Sequence, residues 1–521
     1  MKNFISALVL FLVFKTMGAT YCVGPAATGN GSGTNWNNLK AWTDTPVRGD
    51  TWYLKDGTYS GKTLSTANSG NTLIIIKKAM GAAGQAGHGT DDGWVQSAMG
   101  AGQATISAVV NINSSYWTID GQKGDGFSVS PPDNNGSHYG IAMVPGDNCV
   151  NMQVGIGNIT LSHIYAPADT NNPTAAGGGW FINALGTGNS VSNITISYCL
   201  LIGWGQALRA GHSSGAPWNN VVWEYNLYYW MYTSPSFHGN PINAMWSPIN
   251  FLTVRYSLFA YTYGIGGLSE VISANGAAIN NAEIYGNVFD QCWCGRTIVG
   301  GNGIAGAGIY NSLIYNNTFL WNELGRPGDG GGLVGDEVSS GNSFKNNLAY
   351  DCRSTVASCS SDDYNEYVAT WNQPTETHGV VIGGTYQPFT NPTNQLYTLK
   401  TNTPAGTPLG AGYAQDALGN PRTTWSRGAY EFLQAVPIIN AVLPSGTNLI
   451  ISGTNGSPNG HYLVLASTNL LLPRTNWTRL STNSFNGSGN FIFTNSISPN
   501  IPGLFYLLQL QPAVSEFVTS K

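Results

Sequence analysis

The chain has 521 residues and a formal net charge of −5, and only 9% of its residues are charged, against about a quarter in an average globular domain. With 67 glycines, 12% aromatic residues and no basic cluster, it is neither a helix-rich protein nor one built to hold nucleic acid. Seven cysteines are too few for a disulfide scaffold, and their odd number leaves one over if all pairing is internal.

Residues 1–19 read as a secretory signal: Lys2, an apolar run from Phe4 to Phe14, then the small pair Gly18-Ala19. That run is too short to span a bilayer and Lys15 interrupts it, so stable membrane insertion is not expected. Tyr21 before Cys22 lacks the small residue of a lipoprotein signal. Export would place Cys352 and Cys359 where they could close a loop by a disulfide. The pair Cys292-Trp-Cys294 has no second pair at a zinc-site separation.

Past the signal, Thr20 to Val23 reads as a first strand, and Asn35 to Thr43 carries a short apolar period suited to a capping helix. From Trp223 to Ala349 one pattern recurs: Trp223-Glu-Tyr-Asn226-Leu-Tyr228, Val254-Arg-Tyr-Ser257-Leu-Phe259, Ile284-Tyr-Gly-Asn287-Val-Phe289, Ile314-Tyr-Asn-Asn317-Thr-Phe319 and Phe344-Lys-Asn-Asn347-Leu-Ala349. Ile196-Ser-Tyr-Cys199-Leu-Leu201 precedes them. From Trp223 onward the first positions stand 31, 30, 30 and 30 residues apart. Each unit alternates like a strand and is bounded by Gly, Asn and Ser, as one rung of a solenoid would be, with its inner face buried by its neighbours. Asn226, Asn287, Asn317 and Asn347 would then stack at a turn, each amide both donating and accepting. The fold read from this period is a parallel β-helix, and one long domain suffices because a solenoid core grows along an axis.

The stretch Gly49-Asp-Thr-Trp-Tyr-Leu-Lys-Asp-Gly-Thr-Tyr59, followed by Leu73 to Ile76, resembles the opening coils of secreted β-helix proteins of the pectin-lyase-like superfamily. Asp416-Ala-Leu-Gly-Asn-Pro-Arg422 and Gly428-Ala-Tyr-Glu431 resemble the closing signature of many such proteins. With the repeats, the resemblance covers roughly residues 20–432 and implies a right-handed coil, consistent with the chirality of parallel crossovers, so that residues 20–435 are expected to form the β-helix with its N-terminal cap. It implies an activity far less narrowly, because that superfamily holds lyases, hydrolases, esterases, epimerases, adhesins and tailspikes.

After Pro437 the pattern changes to short alternating strands, Leu449 to Ser452, His461 to Ala466, Trp477 to Ser481, Asn490 to Thr494 and Gly503 to Leu510. Residues 436–512 are therefore expected to form an Ig-like β-sandwich, with 513–521 a tail. The module resembles C-terminal sandwiches of bacterial secreted proteins through Ala466-Ser-Thr-Asn-Leu470, Trp477-Thr-Arg479 and Phe505-Tyr-Leu-Leu-Gln509. Attachment, sorting and carbohydrate binding are all open as its role.

Two familiar motifs fail on context. Gly211-His-Ser-Ser-Gly215 matches a nucleophile elbow, but Ala216-Pro217-Trp218 follows where a helix is required. Gly301-Asn-Gly-Ile-Ala-Gly306 matches a dinucleotide fingerprint, but it leads into a strand at Ile309.

Stacking the rare charges on the repeat is more informative. Counted from each rung's first apolar position, Arg209 falls at 13 and Arg296 and Arg326 at 12. His212 and Glu270 fall at 16, and His238 and Asp329 at 15. A shared phase would bring them to one side as a groove for a polysaccharide. Asp336 and Glu337 lie further round the coil. The plainer reading is a set of surface ion pairs that blunts edge association and adds little stability. Tryptophans such as Trp218, Trp230, Trp246, Trp293 and Trp321 mostly suit core stacks, with a few free to carry sugar faces.

The function expected is cleavage of an acidic, uronate-containing polysaccharide by β-elimination. A base removes the proton α to the carboxylate and a cation stabilises the enolate. His238 would be the base and Arg296 and Arg326 the carboxylate binders, with Glu270 in the catalytic set. Arg209, His212, Asp329, Trp246 and Trp321 would bind substrate. Lysine is absent from the repeats until Lys345, so the Lys-Arg pairing of some β-helix lyases has no candidate. Calcium would be the alternative counter-charge, with oxygen ligands from Glu270, Asp329, Asp336 or Glu337. Two other functions stay open: a non-catalytic carbohydrate-binding or adhesion protein, and a glycoside hydrolase, which would need paired carboxylates about 5–9.5 Å apart. The polygalacturonase series is not present in order; His88-Gly-Thr-Asp91-Asp92 holds only fragments of it, upstream of the repeats. The chain is expected to act outside the cytoplasm as a monomer.

Overall fold

The computed structural model describes residues 18–146, 148–153, 155–168, 179–185, 189–211, 215–231, 239–262, 270–274, 276–292, 296–300, 307–322, 332–336, 340–353, 359–384, 386–433, 436–456, 460–496 and 503–510. They fall into two compact units: one holds the residues up to Gln387 with Asn391–Thr398 and Pro404–Glu431, the other Pro388–Thr390, Leu399–Thr403 and the chain from Phe432.

The first unit is a parallel β-helix. Through the body of the helix each coil lays one strand into each of three parallel sheets, here called A, B and C. Val191–Ser197 lies in sheet A, Leu200–Ile202 in B and Gln206–Ala210 in C; the next coil repeats the order with Trp218–Glu224, Leu227–Met231 and Ile242–Ala244. The repeat has a direct structural meaning. Ile196, Trp223, Val254, Ile284, Ile314 and Phe344 are successive register partners in sheet A, and all six are fully buried. Tyr228, Phe259, Phe289 and Phe319 stack beside them inside sheet B, with centroids 6.1, 5.3 and 5.0 Å apart. One-residue slippage would turn every one of these side chains to the outside, so packing fixes the register.

The asparagine ladder forms at the A-to-B turn. Asn287 Nδ2 donates to Asn317 Oδ1 and Asn317 Nδ2 to Asn347 Oδ1, both at 3.1 Å. Asn365 continues the column although it lies only 18 residues on, accepting from Asn347 Nδ2 at 3.0 Å. The residue before the ladder takes the left-handed region: φ is 54° at Tyr225, 48° at Tyr256, 65° at Gly286, 51° at Asn316 and 56° at Asn346. Glycine and asparagine tolerate this conformation; tyrosine does so less readily. Here the tyrosines stack, with centroids 5.0 Å from His163 to Tyr198, 4.8 Å from Tyr198 to Tyr225 and 5.1 Å from Tyr225 to Tyr256, and ring contact offsets the backbone strain.

Sheet B is apolar on its outer face too. Leu227, Leu258, Val288 and Leu348 point away from the core yet are fully buried. A strap formed by later residues covers them. Tyr397 OH donates to Asp290 Oδ2 at 2.7 Å, and the Ala429 amide donates to Thr318 Oγ1 at 2.8 Å. The Asp416–Glu431 signature is the strap's own brace. Asp416 accepts from the amides of Leu418, Asn420 and Glu431, and Arg422 donates to the carbonyls of Ser426, Gly428 and Ala429 at 2.9–3.0 Å.

Two expectations are corrected. Asn35 to Thr43 contains no helix: Asn35 Oδ1 accepts from the amides of Asn37 and Asn38 at 3.1 and 3.0 Å, an Asx turn that takes the place of helical bonding. Trp36, Leu39 and Trp94 cap the coil end instead, and His88, stacked on Trp94 at 4.5 Å and bonded to Asp91, belongs to that cap. Cys352 and Cys359 are not joined to each other by a disulfide. Cys352 points into the core towards the Phe319 carbonyl, while Cys359 opens a strand of sheet A. Cys294 lies outside the described residues.

The second unit contains two antiparallel three-stranded sheets. The expected strands appear as Asn448–Thr454, His461–Ser467, Thr478–Ser484, Phe491–Ser496 and Phe505–Leu510, joined by the unanticipated Ile438–Ser445. Tyr462, Phe485 and Phe491 form its core.

Candidate functional site

The outer face of sheet C carries a column of polar side chains. Its strands share a short signature, Ile182-Asn-Ala184, Leu208-Arg-Ala210, Ile242-Asn-Ala244 and Ile272-Ser-Ala274, in which the flanking apolar residues face the core. The middle residues form an outward column: Asn111, Asn151, Asn183, Arg209, Asn243 and Ser273 are register partners on successive rungs.

The column begins as an amide ladder. Asn151 Nδ2 donates to Asn111 Oδ1 at 3.1 Å, and Asn183 Nδ2 reaches Asn151 Oδ1 at 3.5 Å. Arg209 interrupts it. Asn183 Oδ1, Arg209 Nε and Asn243 Oδ1, on three neighbouring rungs, are all buried and have no hydrogen-bond partner among the described residues. Native proteins keep few such groups. The Arg209 guanidinium lies between two indoles, 4.4 Å from the Trp180 centroid and 4.8 Å from that of Trp246. Arg209 is 7% exposed, no carboxylate among the described residues pairs with it, and burial pushes its guanidinium below its ordinary pKa.

One rung beyond Asn243, Glu270 is buried; its Oε2 accepts from Asn240 Nδ2 and from Ser273 Oγ, the latter at 3.0 Å. Glu270 and Arg296 are register partners on adjacent strands, although the side chain of Arg296 is outside the described residues.

This register corrects the common phase of the arginines. Arg209 aligns with Asn243, Ser273 and Val299, whereas Arg296 stands three residues earlier on its strand, opposite Glu270. From Ile182 through Leu208, Ile242, Ile272 and Ile298 to Val334, the column advances by 26, 34, 30, 26 and 36 residues. Counting from sheet A loses register by the time the chain reaches sheet C, because the connecting loops vary in length.

Of the other expected residues, His212, His238, Arg326, Asp329 and Glu337 lie outside the described residues, and so does Trp293. Only the backbone of Asp336 is described; it ends the strand Gly332–Asp336 opposite Gly300. Trp246 follows its sheet C strand and covers Arg209, while Trp321 sits at the B-to-C turn, edge-on to Tyr350. The two decoy motifs lead into strands at Trp218 and Ile309, with no helix following either. No group of three His, Cys, Asp or Glu suited to a metal ion occurs among the described residues. Calcium ligation by Glu270, Asp329, Asp336 and Glu337 turns on side chains of which only that of Glu270 is described. Sequence reading missed Trp180, Asn183, Asn240 and Asn243, although the recurring Ile/Leu-polar-Ala triplet was a signal for the column.

No family model matches the chain, and no curated protein matches its sequence. Among solved structures, the crystal structure of pectate lyase Pel9A aligns with a TM-score of 0.40 at 13% identity, covering 80% of this chain and 97% of that one. An alginate lyase from Paenibacillus sp. str. FPU-7 aligns at 0.35 with 12% identity, covering 70% and 98%. The PL6 family alginate lyase AlyGC aligns at 0.31 with 9% identity, covering 67% and 54%. The β-helix is established by this chain's own strand register, and likeness at this level adds nothing about activity.

Proposed function

We propose that the outer face of sheet C binds an acidic polysaccharide along the coil axis and that the chain cleaves it by β-elimination. The observation that carries this reading is the run of unpartnered polar atoms on Asn183, Arg209 and Asn243, with Arg209 held between two indoles. A uronate unit answers each feature. Its carboxylate accepts from the guanidinium, its hydroxyls donate to the amide oxygens, and its C–H faces lie against Trp180 and Trp246.

For the chemical step, His238 is assigned as the base that removes the α proton, and Arg296 and Arg326 as the cations that stabilise the enolate. Glu270 sits across from Arg296 in the register and would orient it. His212, Asp329 and Trp321 complete the binding set. Calcium, held by Asp336 and Glu337, would supply further neutralising charge. A polymer substrate requires the protein outside the cell, which accords with the signal read in residues 1–19; no described helix is long and apolar enough to cross a membrane.

The test is incubation of the purified protein with polygalacturonate, alginate and glycosaminoglycans, with and without calcium, followed in the ultraviolet band of unsaturated uronates. Silence on all three in both conditions rejects the lyase. Glycan binding that survives His238→Ala and Arg296→Ala without turnover would instead favour a binding protein. New reducing ends without unsaturation would favour a hydrolase, for which Glu270 is the one carboxylate among the described side chains of sheet C.

A further inference from the structure

A second feature lies on the other side of the B-to-C turn, away from the Arg209 column. The residue that follows Ile202, Tyr229 and Ala260 on these rungs takes a left-handed backbone: φ is 80° at Gly203, 52° at Trp230 and 57° at Tyr261. These three occupy one position on successive rungs, since Ile202 and Tyr229 are register partners and Tyr229 pairs with Ala260. Trp230 stacks on Tyr261, with centroids 6.1 Å apart and planes 20° from parallel. Gly203 puts no side chain on the rung before it. Among the described residues one face of the indole is thereby left uncovered, and Trp230 is 46% exposed.

This face belongs to a cleft of about 570 Å³ whose opposite wall is the strap, at Asn394 and Gln395. The volume is within the range of about 300–1,000 Å³ usual for small-ligand sites. Tyr229 is held in place, its OH donating to Gln395 Oε1 at 2.9 Å. Asn134 lines the same cleft. No lining residue carries a charge at neutral pH. Behind the wall, Asp290 interacts electrostatically with Tyr229 and Tyr261, so its carboxylate would repel an anion.

We propose that the Trp230 cleft is a second carbohydrate site, which takes a neutral sugar unit with its apolar face on the indole and its hydroxyls on the amides of Asn134, Asn394 and Gln395. Amides donate and accept as hydroxyls do, whereas a wholly apolar ligand would leave them unsatisfied. The site shares no residue with the sheet C column, so it stands or falls independently of the elimination reading.

The test is calorimetric titration of the full chain with cellohexaose, xylohexaose and mannohexaose, with hexagalacturonate as the acidic comparison. The wild type binds at least one neutral hexasaccharide. Trp230→Asn, chosen because asparagine accepts the left-handed backbone, weakens that binding by about tenfold, as loss of one aromatic platform predicts. Asn394→Ala, at an exposed strap position that should leave folding intact, weakens it by about threefold. Arg209→Ala leaves it unchanged. Failure of all three neutral probes to bind the wild type overturns the proposal. Wild-type affinity in both cleft variants, or equal loss in Arg209→Ala, overturns it as well.

Discussion

The guanidinium of Arg209 lies 4.4 Å from the ring centroid of Trp180, on the neighbouring strand of sheet C. Arg209 is 7% exposed, stacked on aromatic rings and unpaired with any described carboxylate, and under the proposed function it receives the substrate's carboxylate. Arg209→Ala should weaken acidic oligosaccharide binding tenfold or more, a charge-assisted hydrogen bond contributing about 1.5–3 kcal/mol. Arg209→Lys should rescue little, because an ammonium has neither the plane nor the fork. Thermal unfolding of the alanine variant should show no fall in Tm, since an unpaired buried cation does not stabilise the fold. A large drop in Tm with binding intact would assign Arg209 a structural role.

The ladder at the A-to-B turn makes the opposite prediction. Asn317 is fully buried, donates to the Ile284 carbonyl at 2.8 Å and accepts from the Asn287 amide at 3.1 Å. Asn317→Ala strands both groups, and each buried orphan costs about 1–3 kcal/mol. The unfolding midpoint in urea should fall by the equivalent of about 3 kcal/mol or more. Asn250→Ala, on the half-exposed Asn219–Asn250–Asn280 ladder, should stay within about 0.5 kcal/mol.

Arg422 should prove indispensable to the strap. It is buried and donates to the carbonyls of Ser426, Gly428 and Ala429, with Glu431 3.9 Å away. Arg422→Ala leaves those carbonyls and the Glu431 carboxylate without it, a loss of about 3–5 kcal/mol. Limited proteolysis should then cut between Pro404 and Glu431 in the variant and spare the wild type. Equal resistance would show that the strap is held by its contacts with sheet B alone.

Stability should fall as pH rises from mildly acidic to mildly basic. Burial raises the Glu366 carboxyl from 4.5 to about 8, partly opposed by Arg427, and both its oxygens lack a hydrogen-bond partner among the described residues. Burial likewise raises Asp290 from 3.8 to about 6, against the bond from Tyr397. Both acids hold a proton in the folded chain that the unfolded chain has released. Their favourable contribution is complete below the unfolded values and is lost as pH passes about 6 for Asp290 and about 8 for Glu366. Glu366→Gln should therefore raise Tm at pH 8.5 and change it little at pH 4. An equal effect at both values would remove titration as the cause.

The sequence alone determined the coil. Trp223, Val254, Ile284, Ile314 and Phe344 recur at a nearly constant interval because each must cover the one before it, so the stacking constraint was written directly into spacing. The asparagine ladder was legible for the same reason. The site was legible only in part. Arg209, Glu270 and Trp246 were picked out as rare residues, but their partners Trp180, Asn183 and Asn240 were not. Only the folded chain could decide which of them meet, because the loops feeding sheet C vary in length and register there is set by hydrogen bonding between strands, not by distance along the sequence. The strap over sheet B was equally hidden: Leu227, Leu258 and Val288 stand on the outer face of their strands, and it is a segment more than a hundred residues later that folds back and buries them.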